Sequence, residues 1–462
     1  MQMVKNKIVG NKKIINAWAF YDWANSAYPL VITTAVFPIY YSNITANDNE
    51  NLLYFFGFYF TNTALYSYIL SFSFLLVAAI SPILSGIADY SGKKLFFMKI
   101  FCYIGAFSSC LLYFFDADRL GLSFIPVIGA SVGFWGSLVF YNAFLPEIAE
   151  RKEHDYVSAK GYSLGYLGSS LLLITCLIFI MMPSLLFDVS AKANELMALD
   201  SSLHLDDAME SASGFYTGLI TRFSFVAVGI WWFGFAQLTF KYLPNNIYNR
   251  KPSGNIFWKG YQEIKKVWFE LNETPRLKIY LLSFFIYSMG VQTVILMATL
   301  FGEAEVHMGT AELITTVLII QFVAIGGSYL FSFLSAKLGN MKALGIALII
   351  WIMVCVSAYF VYNAVEFYAL AFVVGLIMGG IQSLSRSTYS KLLPETVDHA
   401  SYFSFYDVCE KLGIVIGTLA YGSIIDLTGS MRNSIIALCA FFILGFIVLL
   451  FVPKTKYIEP IE

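Results

Sequence analysis

Several polar clusters stand inside or beside long apolar runs, and their spacing limits the chemistry open to this chain. The stretch YDWANSAYP (21–29) opens one such run. On a helix, Asp22, Asn25, Ser26, Pro29 and Thr33 recur every three or four residues and share a face, while Trp23 and Leu30 point elsewhere. An unpaired carboxylate in hydrocarbon costs on the order of several kcal/mol, so this stripe must face protein or water. It reads as the lining of a cavity or gate, with Asp22 near one end of the span. The alternative is that Asp22 caps the helix N-terminus, where the dipole favours a negative charge.

A second polar face joins Gln382, Ser385, Arg386 and Tyr389 at helical spacing. Arg386 is about one turn from the end of its run, so its alternative is to snorkel to the interface. A third cluster holds Asp407, Glu410 and Lys411. Asp407 and Lys411 are spaced for an intrahelical pair, which leaves Glu410 needing a partner such as Arg386. Arg222 lies about two turns inside another run. It is placed either to grip a carboxylate bidentately or to reach out toward an acidic loop. Tyr28, Trp135, Tyr141, Tyr162, Tyr166 and Tyr287 are candidate cavity walls, although each alone is more often packing.

The elements that must position these groups follow from composition. The chain has 462 residues, 58% hydrophobic and 13% charged, with net charge −1. A soluble chain carries about twice that charge fraction, and a net charge so small leaves no nucleic-acid footprint. Twelve runs are long enough to cross a bilayer as helix, at roughly 19–41, 59–87, 96–115, 121–144, 160–182, 215–240, 278–300, 311–335, 343–362, 367–388, 403–425 and 433–452. The first run is too long for a cleavable signal. The six cysteines fall in or beside apolar runs with no C-x-x-C pair, and the four histidines lie in loops without metal-ligand spacing. No metal or cofactor site is expected.

Of the 29 lysines and arginines, the odd-numbered connections hold only Arg119, Lys192 and Arg432. Arg222 and Lys411 lie deep inside spans, and the rest crowd the termini, the even-numbered connections and the span ends beside them. By the positive-inside bias both termini are expected in the cytoplasm, with the chain in a multi-pass cell membrane such as a bacterial inner membrane. Connection 183–214 is acidic and faces outward. In 241–277, Phe257, Tyr261, Ile264, Val267, Trp268 and Leu271 recur at helical spacing, with Lys259, Lys265, Lys266 and Glu270 off the stripe. This predicts an amphipathic helix at 255–272, lying on the inner membrane surface as a tether.

The tether falls near the middle of an internal repeat. Ser85 and Gly92 recur as Ser332 and Gly339, 247 residues on. Ser137, Tyr141, Leu145, Pro146 and Glu147 recur as Ser385, Tyr389, Leu393, Pro394 and Glu395, and Gly165 as Gly413, all 248 residues on. So steady an offset predicts two parallel six-helix halves with a solute path between them. The expected division is an N-terminal bundle (1–182 and 183–240), a linker (241–277) and a C-terminal bundle (278–462).

SGIADYSGKK (85–94) resembles the major facilitator signature G-x-x-x-D-x-x-G-R-[KR], with Asp89, Gly92, Lys93 and Lys94 in place and Ser85 for the first glycine. The second copy carries Ala336 where the acid belongs. YDWANSAY (21–28), FYNAFLPEIA (140–149), SAKGYSLGYLG (158–168) and GGIQSLSRSTYSKLLPE (379–395) are similar to the vacuole-effluxer-like branch of that superfamily, named for a fungal exporter of amino acids. In FIYSMGVQT (285–293), Tyr287, Gly290, Gln292 and Thr293 keep the branch's Y-N-D-G-x-Q-T pattern, but Met289 replaces its acid. The resemblance implies an all-α integral membrane protein of major facilitator fold and a small polar solute, with amino acids foremost. Together with the polar faces and aromatic walls read above, the expected substrate or coupling set is Asp22, Asn25, Ser26, Trp135, Tyr141, Asn142, Tyr166, Tyr287, Gln292, Gln382 and Arg386. The charges at the span ends, read with the signature, give an expected cytoplasmic ionic gate of Asp89, Gly92, Lys93, Lys94, Glu147, Asp407, Glu410 and Lys411. In the superfamily the signature acid sits against the start of span 11, where a helix N-terminus welcomes it.

Expected partners are the solute, the lipid bilayer and, if Asp22 or Glu410 carries one, a proton; uniport fits the sequence equally, and the chain is expected to act as a monomer. No histidine lies inside a span and no G-x-x-x-x-G-K-[ST] loop is present, which argues against a membrane enzyme and an ATP-driven pump. A transporter-shaped sensor shares every feature above and differs only in carrying no flux.

Overall fold

The computed structural model describes residues 8–47, 51–200, 202–248, 250 and 255–453. The first helix, α1 (Lys12–Asn25), starts seven residues before the predicted span, and the Asn11 side chain accepts from the N–H groups of Lys13 and Ile14. Asp22 therefore lies almost three turns inside the helix, and the cap considered for it belongs to Asn11. Between Tyr28 and Val36 the backbone widens into a π-helical segment before continuing as α2 (Phe37–Ile44). Pro29 has no N–H to close the usual ladder. The Thr34 hydroxyl donates to the Pro29 carbonyl, five residues back, at 2.9 Å.

A hairpin follows, β1 (Leu52–Phe55) and β2 (Phe58–Thr61), antiparallel with Leu52 opposite Thr61. Phe56 and Gly57 both take positive φ at its tip, as a two-residue primed turn requires. The all-α expectation misses this ribbon because its aromatic residues read as the edge of a membrane run.

The remaining helices are α3 (Asn62–Ser91), α4 (Lys94–Leu111), α5 (Leu120–Asn142), α6 (Leu145–Ile148), α7 (His154–Met181), α8 (Val189–Leu199), α9 (Leu205–Tyr242), α10 (Ile256–Glu273), α11 (Pro275–Val306), α12 (Thr310–Leu338), α13 (Asn340–Ala358), α14 (Ala364–Leu392), α15 (His399–Thr428) and α16 (Met431–Leu450). Among the described residues, 11 helices are long and apolar enough to cross a membrane. The bent span α1–α2 completes the expected set. The connection 183–214 is largely helical: α8 packs on an early start of α9 through Val189, Ala193, Ala208 and Ala212.

Small residues set how the spans meet. In one bundle α7 lies on α1, and a Cβ on Gly165 would sit 2.5 Å from the Ser26 hydroxyl. In the other α15 lies on α11, and a Cβ on Gly413, the repeat of Gly165, would sit 2.7 Å from the Ser288 hydroxyl. Between the bundles α3 packs on α15, and α7 on α12 and α14.

Helix α10 is more than a tether lying on lipid. Gly260, Val267 and Leu271 are buried, and α10 crosses α3 so closely that a Cβ on Gly86 would lie 2.2 Å from the Gly260 carbonyl oxygen. Tyr261 and Trp268 of the predicted stripe face outward instead, with Trp258 beside them. The side chain of Phe257 is outside the described residues.

Candidate functional site: an ion pair beneath a central cavity

Asp22 on α1 and Arg386 on α14 meet across the two bundles. Arg386 Nη1 lies 3.2 Å from Asp22 Oδ2, to which the Tyr141 hydroxyl on α5 also donates at 2.8 Å. Arg386 Nε donates to Ser158 Oγ and Nη2 to the Ser158 carbonyl, both at 2.9 Å, and Nη1 reaches Asn142 Oδ1 at 3.4 Å. The guanidinium lies 4.2 Å from the Tyr162 ring centre and 4.9 Å from that of Trp18. Arg386 is 2% exposed. It does not snorkel, and its fork is filled as a buried guanidinium requires. Gly161 makes the meeting possible, since a Cβ there would stand 2.5 Å from Asp22 Oδ2 and 2.9 Å from Arg386 Nη2.

A cavity of about 230 Å³ lies against this pair. The whole stripe Asp22, Asn25, Ser26, Pro29 and Thr33 lines it, along with Trp135, Asn142, Tyr166, Gln292, Gln382 and Arg386. Tyr28 and Tyr162 are also on its wall. The Tyr166 hydroxyl donates to Gln382 Oε1 at 2.5 Å, joining α7 to α14. Two expected wall residues are elsewhere. Tyr141 lies behind Asp22, and Tyr287 is buried within its own bundle, sharing a hydrogen bond with Ser385 Oγ at 2.7 Å. Leu30, expected to point away, is on the wall, because the widened turns after Tyr28 rotate the face.

Glu410 does not pair with Arg386. On α15 it accepts from Gln292 Nε2 at 2.9 Å and lies 2.8 Å from Lys411 Nζ. Lys411 also pairs with Asp407 at 2.8 Å, at the predicted spacing, and stands 3.7 Å from the Trp135 ring centre. Asp407 accepts from Ser81 of α3 at 3.3 Å. Glu410 is on the cavity wall, so this triad is a membrane-interior cluster and not part of a gate at the bundle end. Among the described residues Arg222 meets neither a carboxylate nor the acidic connection: its Nε donates to the Tyr40 hydroxyl at 2.8 Å.

The bundles are held together at the end where α1, α7, α11 and α15 begin, which carries the basic connections and is called here the basic end. Asp89 accepts from the backbone N–H groups of Ala400 at 3.2 Å and Ser401 at 2.7 Å, at the first turn of α15. Gly92 ends α3 with φ +70°. Lys94 pairs with the buried Glu147, to which His399 is also bonded at 2.9 Å. Glu147 is thus no free loop charge, whereas Lys93 is exposed.

Sequence reasoning missed the other half of this closure. Asp155 on α7 accepts from Ser335 at 2.7 Å and Asn340 at 2.8 Å, and pairs with Lys391 at 2.6 Å. Asp398 binds Arg250 at 2.6 Å and Lys266 of α10 at 2.9 Å. Burial alone would raise the Asp398 carboxyl, but Lys266 and Arg250 hold it below the usual range. The repeat offset held the missing signal: it pairs the start of α15 with the start of α7, where Asp155 sits.

Two bundles around a polar cavity, joined by an interior ion pair and closed at one end, define a membrane transporter of the major facilitator superfamily rather than an enzyme. The fold is shared with a crystal structure of the major facilitator transporter FucP in its outward conformation, at TM-score 0.68 and 13% identity, over 96% of this chain and 99% of that one. The chain belongs to the vacuole effluxer Atg22-like family, whose model matches residues 10–459. It is 30% identical over 440 residues to the uncharacterized MFS-type transporter YxiO of Bacillus subtilis, spanning 95% of this chain and 94% of that protein. It is 29% identical over 234 residues to autophagy-related protein 22 of Eremothecium gossypii, spanning 46% and 45% of the two chains.

Proposed function

We propose that the protein carries a small zwitterionic solute, an amino acid, by rocking the bundle 1–240 against the bundle 278–462. The observation that carries this reading is the Asp22–Arg386 pair at the cavity wall, one partner from each bundle. A zwitterion offers a carboxylate to Arg386 and an ammonium to Asp22, so it replaces the internal pair without leaving either charge bare. Breaking and remaking that pair couples solute binding to the relation of the halves. The volume is below the roughly 300–1,000 Å³ of drug-sized sites, which suits a small solute. The family's description as vacuole effluxers supports the export of a solute. The lysine and arginine bias supports a cytoplasmic basic end, so the closed basic end corresponds to an outward-facing state of a monomer in a cell membrane.

Counterflow of labelled amino acids, sugars and drugs in proteoliposomes tests this. Amino acids are expected to exchange, and Asp22→Asn, checked for an intact thermal transition, is expected to lower exchange by about tenfold or more, since removing one partner of a buried pair costs roughly 3–5 kcal/mol. Absence of exchange for every solute class would instead support a sensor that binds without transport.

A further inference from the structure

Charge counting separates the two ionic clusters inside the membrane. Asp22 and Arg386 cancel. Asp407 and Glu410 face Lys411 alone, which leaves one negative charge in excess. Lys411 is 0% exposed and holds both carboxylates at 2.8 Å. Its surroundings offer no second cation among the described residues. Helix α3 presents Ser81, α5 presents Trp135 and α11 presents Gln292. Tyr162 of α7 and Tyr406 of α15 share the cavity wall with Glu410. Arg432 of α16 is engaged by Glu305, and on α10 Lys266 is engaged by Asp398 while Glu270 accepts from Tyr402. Arg386 is engaged by Asp22. An uncompensated charge at this depth draws a cation to itself.

We propose that this triad, and not Asp22, is where a proton couples to transport, with Glu410 as the residue that takes it. Glu410 is on the cavity wall while Asp407 is behind it, so the proton arrives from cavity water. A hydronium ion gives up one O–H bond, an O–H bond forms on the Glu410 carboxylate, and neutral water leaves. Asp407 and Lys411 remain as an ion pair, and the cluster becomes neutral.

The position of the triad links this step to the rocking of the bundles. Asp407 is bonded to Ser81 and Lys411 stands over Trp135, and both of those residues belong to the opposite bundle. When Glu410 is ionised, Lys411 is shared between two carboxylates. When Glu410 is neutral, Lys411 belongs to Asp407 alone, the member that holds α3. Protonation therefore changes the grip between halves, which is the condition for linkage.

This inference rests on the transport reading, and the experiment keeps the two apart. Full-length protein in proteoliposomes is given a solute that counterflow has identified, with and without a pH gradient. Wild type is expected to accumulate it by about tenfold per pH unit if one proton moves per solute. Glu410→Gln is expected to lose accumulation, and whatever counterflow it retains is expected to be independent of pH. Infrared titration, which needs no solute, is expected to show a protonated carboxyl band in wild type that is missing in Glu410→Gln and present in Asp22→Asn. Wild-type accumulation indifferent to the gradient, accumulation retained by Glu410→Gln, or a band lost with Asp22 instead would overturn the proposal. If no solute exchanges, the transport reading fails while the infrared band still decides where the proton sits.

Discussion

The two closures at the basic end occupy matching stations of the repeat and reverse their chemistry. At the end of α3 the carboxylate is on the connecting side: Asp89 accepts from backbone N–H groups that open α15. At the end of α12 the corresponding position is Ala336, and the carboxylate comes from the helix that is met, as Asp155 near the start of α7 accepts from Ser335 and Asn340. The duplicated architecture thus preserves where the halves touch and not which side bears the charge. The consequence is unequal dependence. Asp89 uses a helix N-terminus that no side-chain substitution removes, whereas Asp155 relies on side chains, including Lys391 from α14.

Substitutions can break this asymmetry in graded steps. Asp155→Ala should have the largest effect, since it removes the countercharge of Lys391, leaving it Asn340 Oδ1 at 3.1 Å, and breaks two further bonds across the halves; roughly 3 kcal/mol of lost closure is expected, read as faster hydrogen exchange at the start of α7 and the end of α12. Asp89→Asn keeps a weaker acceptor and should cost about 1.5–3 kcal/mol, with exchange rising at Ala400 and Ser401. Equal effects at both stations would remove the distinction. Ala336→Asp, which restores the signature acid, should destabilise the closure by tenths of a kcal/mol to about 1 kcal/mol if the new carboxylate approaches Asp155; a gain in thermal stability would mean the second station can work like the first.

The smallest effect is set by pH. The Asp398 carboxyl lies below its usual range in the folded protein, so its contribution is fully present above the unfolded value of about 3.9 and is lost only as pH falls through the lower folded value. Melting measured from neutral to acid pH should show Asp398→Asn converging on wild type at the acid end.

The sequence made the spans and the Asp22 stripe legible because burial of polar groups in hydrocarbon leaves few choices. The 247–248 residue offset made the two bundles legible for a similar reason, since both must present matching faces. Partner choice was less accessible. Glu410 was expected to find Arg386, but Arg386 is taken by a residue 364 positions away, and nothing local distinguishes those pairings. Arg222 found a hydroxyl on Tyr40 by the same long-range packing. The hairpin at 52–61 was hidden because strand aromatics and membrane aromatics look alike in composition.

The widened backbone at Tyr28–Val36 has a practical consequence for comparing transporters. Each residue gained by a wide turn rotates everything after it by roughly 100° relative to a regular helix. Superposing this chain residue for residue on a relative with an unbroken first span would keep Pro29 and Thr33 on the wall but turn Leu30 and Thr34 away from it, so any solute preference inferred from such an alignment would rest on an incomplete wall.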